Sequence, residues 1–174
     1  MVVILMGVSG SGKTTIGALL AKRTGVEFAD ADDYHPLANK EKMKAGHALN
    51  DEDREPWLED LNRLMWGWWN AGRGGVLACS ALKESYRQIL GAGLPAGAVR
   101  FVLLGGSKEL IAERLVERQH EFMNPKLLDS QMSTLERPKG NSVEVINDRT
   151  PDEVVDEVLA HLASTTETVT DFKG

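Results

Sequence analysis

Cysteine is almost missing: Cys79 is the only one in 174 residues. No internal disulfide can form, and Cys79 sits inside an apolar run. That position reads as a small core residue rather than a nucleophile. No apolar stretch is long enough to span a bilayer. The N-terminal apolar run, Val2 to Met6, is too short for a secretion signal and leads straight into glycines, so the cytoplasm is expected. No block of basic residues occurs, and the net charge is −6. This argues against nucleic acid or a membrane surface as partner, while leaving room for a local basic pocket. Repeats and low-complexity tracts are absent too. The length fits one domain, expected over residues 1–163, and the 42% hydrophobic fraction suffices for a full core. Residues 164–174, rich in threonine, are expected to be a loosely held tail.

What is present is concentrated at the start. Val2-Val3-Ile4-Leu5-Met6 reads as a buried strand. Gly7-Val8-Ser9-Gly10-Ser11-Gly12-Lys13-Thr14 follows, an unbroken G-x-x-x-x-G-K-[ST] phosphate-binding loop. Thr15 opens a helical stretch with Ile16, Leu19 and Leu20 at helical spacing, stopped by Gly25. A strand before and a helix after is the context such a loop requires. Its glycines let successive N–H groups turn onto phosphates, and the helix N-terminus adds partial positive charge. Lys13 can reach the β- and γ-phosphates, and the Thr14 hydroxyl can ligate Mg²⁺. The loop, Gly7 to Thr15, is therefore expected to bind nucleotide.

Residues 26–30 read as a second strand running into Asp30-Ala31-Asp32-Asp33-Tyr34-His35-Pro36. In open α/β sheets ligands gather at the carboxyl ends of strands. Carboxylates there suggest Mg²⁺ and a substrate hydroxyl for Asp30 and Asp32, with Asp33 the expected cap of the next helix. A lysine-rich helix, 37–45, ends at Gly46. The next helix has two competing starts, one capped by Asn50 and one at Pro56. Arg54, amid Asp51, Glu52, Asp53 and Glu55, either pairs with such acids or faces a pocket. Trp57, Leu61, Leu64, Met65 and Trp68 form one stripe, read as core. Trp66 falls on the opposite face and is expected to be exposed, at a subunit interface.

Residues 76–79 read as a central parallel strand. It lacks the aspartate that often follows such a strand in phosphate-loop proteins, so the metal's carboxylate must come from elsewhere, with Asp30 the natural candidate. Lys83 and Arg87, four apart at the start of a helix, read as an anion clamp or as a solvated face. Residues 98–104 are a fourth strand, and Ser107 caps a helix carrying Arg114 and Arg118 on one face. Those arginines, the interruption after them and a further helix over 126–135 have the form of a mobile lid, about 114–135. Residues 142–146 are a fifth strand. The turn 147–151 is expected to border the adenine, and a closing amphipathic helix spans 152–162. Five strands with intervening helices give an α/β fold, a three-layer αβα sandwich with a five-stranded parallel sheet.

Taken together, these segments resemble the gluconate kinases (gluconokinases), small phosphate-loop kinases. The matching stretches are Met6–Thr15, Asp30–Pro36, Asn39–Trp57, Cys79–Arg87, Arg114–Arg118 and Leu127–Pro138, in the family's order and spanning most of the chain. One departure is Glu121, in His120-Glu121-Phe122, where the family usually has a histidine. By analogy with small phosphate-loop kinases the strand order is expected to be 2-3-1-4-5. The resemblance implies ATP- and Mg²⁺-dependent phosphorylation of D-gluconate at its 6-hydroxyl, in a homodimer. On that basis Asp32 is expected as general base, Asp30 and Thr14 at Mg²⁺, and Lys13, Arg114 and Arg118 at the transferring group. Arg54, Lys83 and Arg87 are expected at gluconate's carboxylate and nearby hydroxyls, with His35 and Gln131 as secondary contacts. A shikimate kinase shares the loop, the Asp-x-Asp pair and the lid, but is not expected to carry the run from Leu49 to Trp57. A nucleotide-dependent binding or sensor module is the non-enzymatic alternative.

Overall fold

The structure, a computed structural model, describes residues 1–117, 125–140 and 142–167. Its five strands are β1 (Val2–Met6), β2 (Glu27–Asp30), β3 (Gly75–Ala78), β4 (Val99–Gly105) and β5 (Ser142–Ile146). They form one parallel sheet in the order β2-β3-β1-β4-β5, as expected. The helices are α1 (Lys13–Thr24), α2 (Leu37–Lys44), α3 (Asp51–Asn70), α4 (Glu84–Gly91), α5 (Lys108–Glu117), α6 (Pro125–Thr134) and α7 (Pro151–Glu167). A short 3-10 turn, Ala31–Tyr34, follows β2.

The central strand explains the layering. Every residue of β1 is buried, and side chains alternate across a sheet. Val2, Ile4 and Met6 meet Leu58, Leu61, Met65 and Trp68 of α3 and Leu90 of α4. Val3 and Leu5 meet Ile16 and Leu20 of α1 and Val154, Val155 and Val158 of α7. A third, smaller cluster of Val8, Leu82, Ile111 and Leu128 packs the phosphate loop against α5 and α6.

The competition over the start of α3 goes to Asn50. Its side chain accepts from Asp53 N–H at 2.7 Å, and the Asp53 carboxylate accepts from Asn50 N–H at 2.9 Å, a complete capping box. Two donors are satisfied at once, so the helix begins there and tolerates Pro56 inside its second turn. Asp53 also ties α2 to α3, through Lys42 at 2.5 Å and through its carbonyl to Asn39 at 2.8 Å.

Two expectations need correcting. Trp66 is half-buried: its indole N–H donates to Ala92 O at 3.3 Å and its ring lies against Gly93. It is thus less exposed than expected, because the turn after α4 folds back over it. Asp33 does not cap α2, which begins after Pro36 with no side-chain cap; instead Asp30 accepts from Asp32 N–H at 3.0 Å and caps the 3-10 turn. Cys79 is buried in the core, where burial pushes its thiol up to about 12, so it is an inert core group as read from sequence. No helix among the described residues is long and apolar enough to cross a membrane.

Candidate active site

The candidate site forms along the carboxyl edge of the sheet, where β1, β2 and β3 end. After β1 the chain makes the phosphate loop, with Gly7, Gly10 and Gly12 all at positive φ. Gly10 has a second constraint: the α5 backbone at Ile111 O and the Leu115 side chain lie where a β-carbon would go. The Lys13 ammonium donates to Gly7 O and Val8 O, each at 3.0 Å, which folds the loop around its own cation. Asn147, directly after β5, donates from Nδ2 to Ser11 O at 2.8 Å in a buried contact and lies against Gly12. From sequence Asn147 is expected only as part of a turn, 147–151, bordering the adenine; its contact with the phosphate loop comes from the fold that delivers it there.

Beside the loop stand the carboxylates. Thr14 Oγ1 donates to Asp30 Oδ2 at 2.6 Å, so the two groups expected at Mg²⁺ are adjacent. Among the described residues no three His, Cys, Asp or Glu side chains converge as a metal cage. One hydroxyl and one carboxylate are hard oxygen donors, and they fit an ion such as Mg²⁺ that keeps most of its shell in water and phosphate oxygens. Asp32 follows in the 3-10 turn. Burial of its carboxyl raises it above the usual carboxylate range, and Asp30 adds to this, while Lys13 opposes it.

Behind the 3-10 turn, α3 holds the wall of the site. Trp57 Nε1 donates to Ala31 O at 2.8 Å, and its ring stacks on His35 at 4.1 Å between centroids with 16° between planes. Burial, then Arg54 and Lys40, lowers His35 to about 4, so the imidazole is neutral at pH 7. Its buried Nδ1 has no hydrogen-bond partner among the described residues. The sign of the linkage follows. Between pH 4 and 6.5 the unfolded chain binds a proton at His35 that the folded chain refuses, so stability is complete above pH 6.5 and declines as pH falls toward 4. His35→Phe keeps a ring on Trp57 and cannot charge. Its Tm is expected to fall less than the wild type's between pH 6.5 and 4, by the equivalent of about 1–2 kcal/mol after solvent screening. Parallel Tm profiles in a pH series would contradict this.

Arg54 and Lys83 flank one ring. Tyr86 lies 5.7 Å from the Arg54 guanidinium carbon and 5.4 Å from Lys83 Nζ, measured to its ring centre. Its hydroxyl donates to Asp51 Oδ1 at 2.5 Å, Lys83 Nζ donates to both Asp51 oxygens at 3.0 Å, and Arg54 Nη1 donates to Leu49 O at 2.6 Å. Hydrogen bonds from Tyr86 and then Lys83 lower Asp51, keeping it ionised. Asp51 and Tyr86 were not expected here: Asp51 looked like one of several acids in a first helical turn.

The structure separates Arg87 from this group. Its guanidinium is buried, with Nη1 donating to Ala81 O at 2.8 Å and Leu82 O at 3.2 Å, and Nε and Nη2 to Glu84. Among the described residues Ala81 is the one non-glycine residue at positive φ, 44°. Arg87 thus holds a strained turn after β3 by its carbonyls and does not point a free fork at a ligand. Gln131 reaches the phosphate loop, not the cationic wall: its Oε1 accepts from Ser9 N–H at 2.7 Å. Arg114 is half-buried on α5, next to the Leu115 that covers Gly10, with Nη1 shut from solvent and unpartnered among the described residues. Arg118, His120 and Glu121 lie outside the described residues.

The model of the family described as shikimate kinase matches residues 9–164. A probable gluconokinase of Dictyostelium discoideum is 42% identical over 93% of this chain and 86% of its own. One from Xenopus tropicalis is 49% identical over 79% of this chain and 80% of its own. The crystal structure of a gluconokinase from Sinorhizobium meliloti superposes with a TM-score of 0.87 at 38% identity, covering 99% of this chain and 97% of that one. The phosphate loop, the strand order and these relatives agree: the chain belongs to the gluconokinase family.

Proposed function

We propose that this enzyme transfers the γ-phosphoryl group of ATP to the 6-hydroxyl of D-gluconate, giving 6-phospho-D-gluconate and ADP. The observation that carries this reading is the order of charges along the sheet edge. An amide-lined phosphate loop comes first, then Asp32, then two cations, Arg54 and Lys83, around Tyr86. A polyol with a carboxylate at one end needs that order: a base at the attacking hydroxyl and positive charge at the far end.

Each residue has a part. The loop from Gly7 to Thr15, with Lys13, holds the β- and γ-phosphates. Asp32 accepts the proton of the attacking hydroxyl. Arg54 and Lys83 receive the carboxylate, and the neutral His35 offers its unpartnered nitrogen to a hydroxyl. Arg87 serves indirectly, by fixing the turn from which Lys83 projects. Arg114, with Arg118, closes over the transferring group; its unpartnered Nη1 is the kind of donor an anion would satisfy. Thr14 and Asp30 would hold Mg²⁺, which when bound spreads the charge of the phosphate oxygens. A cytoplasmic homodimer, as in the resemblance, completes the reading; unchanged sedimentation of Trp66→Ala is compatible with it, since Trp66 is engaged within its own chain.

The match of the shikimate kinase model supports a second reading, a different small hydroxy acid as acceptor. One assay separates them: ADP formation with gluconate, with shikimate and with no acceptor. Strong gluconate-dependent turnover is expected. Turnover on shikimate alone would move the chain to the second reading, and binding of ATP without turnover on either acid would favour a sensor.

A further inference from the structure

We propose that Gln131 is a nucleotide-phosphate ligand and not a sugar-acid ligand, and that its side-chain amide turns over when phosphate arrives. This deepens the kinase reading above and rests on its nucleotide half only.

Gln131 approaches the loop from α6, which several contacts tie to its surroundings in this structure. Leu128, one turn earlier on α6, is buried with Val8, Leu82 and Ile111. Asp129 pairs with Lys108 at the start of α5 at 2.6 Å. After the helix, Glu136 N–H donates to Leu82 O at 2.9 Å, and the Glu136 carboxylate accepts from Glu84 N–H at 2.7 Å. From this base Gln131 Oε1 takes the Ser9 N–H at 2.7 Å, with Nε2 3.4 Å from Ser9 Oγ. Ser9 lies next to Val8, whose carbonyl accepts from the Lys13 ammonium at 3.0 Å. The amide that Gln131 occupies is thus one of the main-chain N–H groups of the loop that Lys13 folds, the kind of group a phosphate engages.

A phosphate oxygen brought to Ser9 N–H meets the Gln131 carbonyl oxygen, and two acceptors cannot share one hydrogen. An amide has a remedy that a carboxylate or an alkyl chain lacks. Rotation about its terminal torsion, which is broad and soft, exchanges Oε1 for Nε2 in place. The side chain then donates to the same phosphate that has taken the Ser9 N–H. Helix α6 would in this way contact the nucleotide directly, through a group it already holds at the loop. Only hydrogen bonds are exchanged; no covalent bond is made or broken.

The test is calorimetric titration of wild type, Gln131→Leu and Gln131→Glu with the β,γ-imido analogue of ATP, and separately with gluconate. Losing the donor in Gln131→Leu should weaken the analogue about 3- to 10-fold, because Ser9 N–H is released in compensation. Gln131→Glu keeps the acceptor and adds a negative charge, and should weaken it by more than about 30-fold. Gluconate affinity should stay within about twofold in both. Wild-type affinity for the analogue in both variants, or a loss confined to gluconate, would overturn the proposal. If Gln131→Glu does not fold, Gln131→Leu decides alone by which of the two ligands it weakens. Should gluconate prove not to be the acceptor, wild type will fail to bind it while the nucleotide order still stands or falls by itself.

Discussion

Asp32→Asn is expected to lower kcat by about 10²- to 10⁴-fold, the range for removing a positioned general base. The KM for either substrate should change far less, since asparagine keeps the shape and a hydrogen-bonding oxygen. Stability should be nearly untouched, because among the described residues none donates a hydrogen bond to the Asp32 carboxylate. That pairing of effects separates a chemical role from a structural one. Asp30→Asn offers the contrast. Asp30 accepts from Thr14 Oγ1 and from Asp32 N–H, so its loss should also loosen the 3-10 turn and lower Tm. A kcat for Asp32→Asn within about threefold of wild type, with matching Tm, would remove Asp32 from the chemistry.

The second large effect divides two lysines. Lys13→Met should cost about 10³-fold in kcat, because its ammonium sits in the loop that faces the transferring group and charge there matters most in the transition state. Lys83→Met should instead raise the KM for gluconate about 10- to 30-fold, with kcat within about threefold. Lys83 is already neutralised by Asp51, so its loss is softened, and Arg54 remains on the other side of the Tyr86 ring. Steady-state kinetics on both variants decides. Equal losses of kcat at unchanged KM would contradict the separation of a phosphate end from a carboxylate end.

How far the sequence revealed this site depends on the range of each interaction. The loop was legible because local backbone chemistry fixes it: a strand, a glycine turn and a helix start. Asp30 and Asp32 were legible as carboxylates at the end of a strand, and Thr14 stands beside Asp30. The sheet order was legible by analogy and by the apolar β1 run. Long-range contacts were not. Arg87 has the charge and spacing of a ligand residue, yet the strained turn at Ala81 claims its donors. Asn147 crosses from the end of β5 to Ser11, and Tyr86 gathers Arg54, Lys83 and Asp51 from two helices. Gln131 was singled out by resemblance, but which end of the site it serves depends on where Leu128 anchors α6. Trp66 failed for a related reason: a helical wheel places it away from the sheet, and only the fold shows the turn after α4 closing over it.

The most direct measurement is a crystal structure of the enzyme with the imido analogue of ATP, Mg²⁺ and gluconate. Expected is the sugar acid lying with its terminal hydroxyl between the Asp32 carboxylate and the γ-phosphate, and its own carboxylate against Arg54 and Lys83. Gluconate in the reverse direction, or Asp32 beyond hydrogen-bond reach of every hydroxyl, would contradict the assignment of this edge of the sheet.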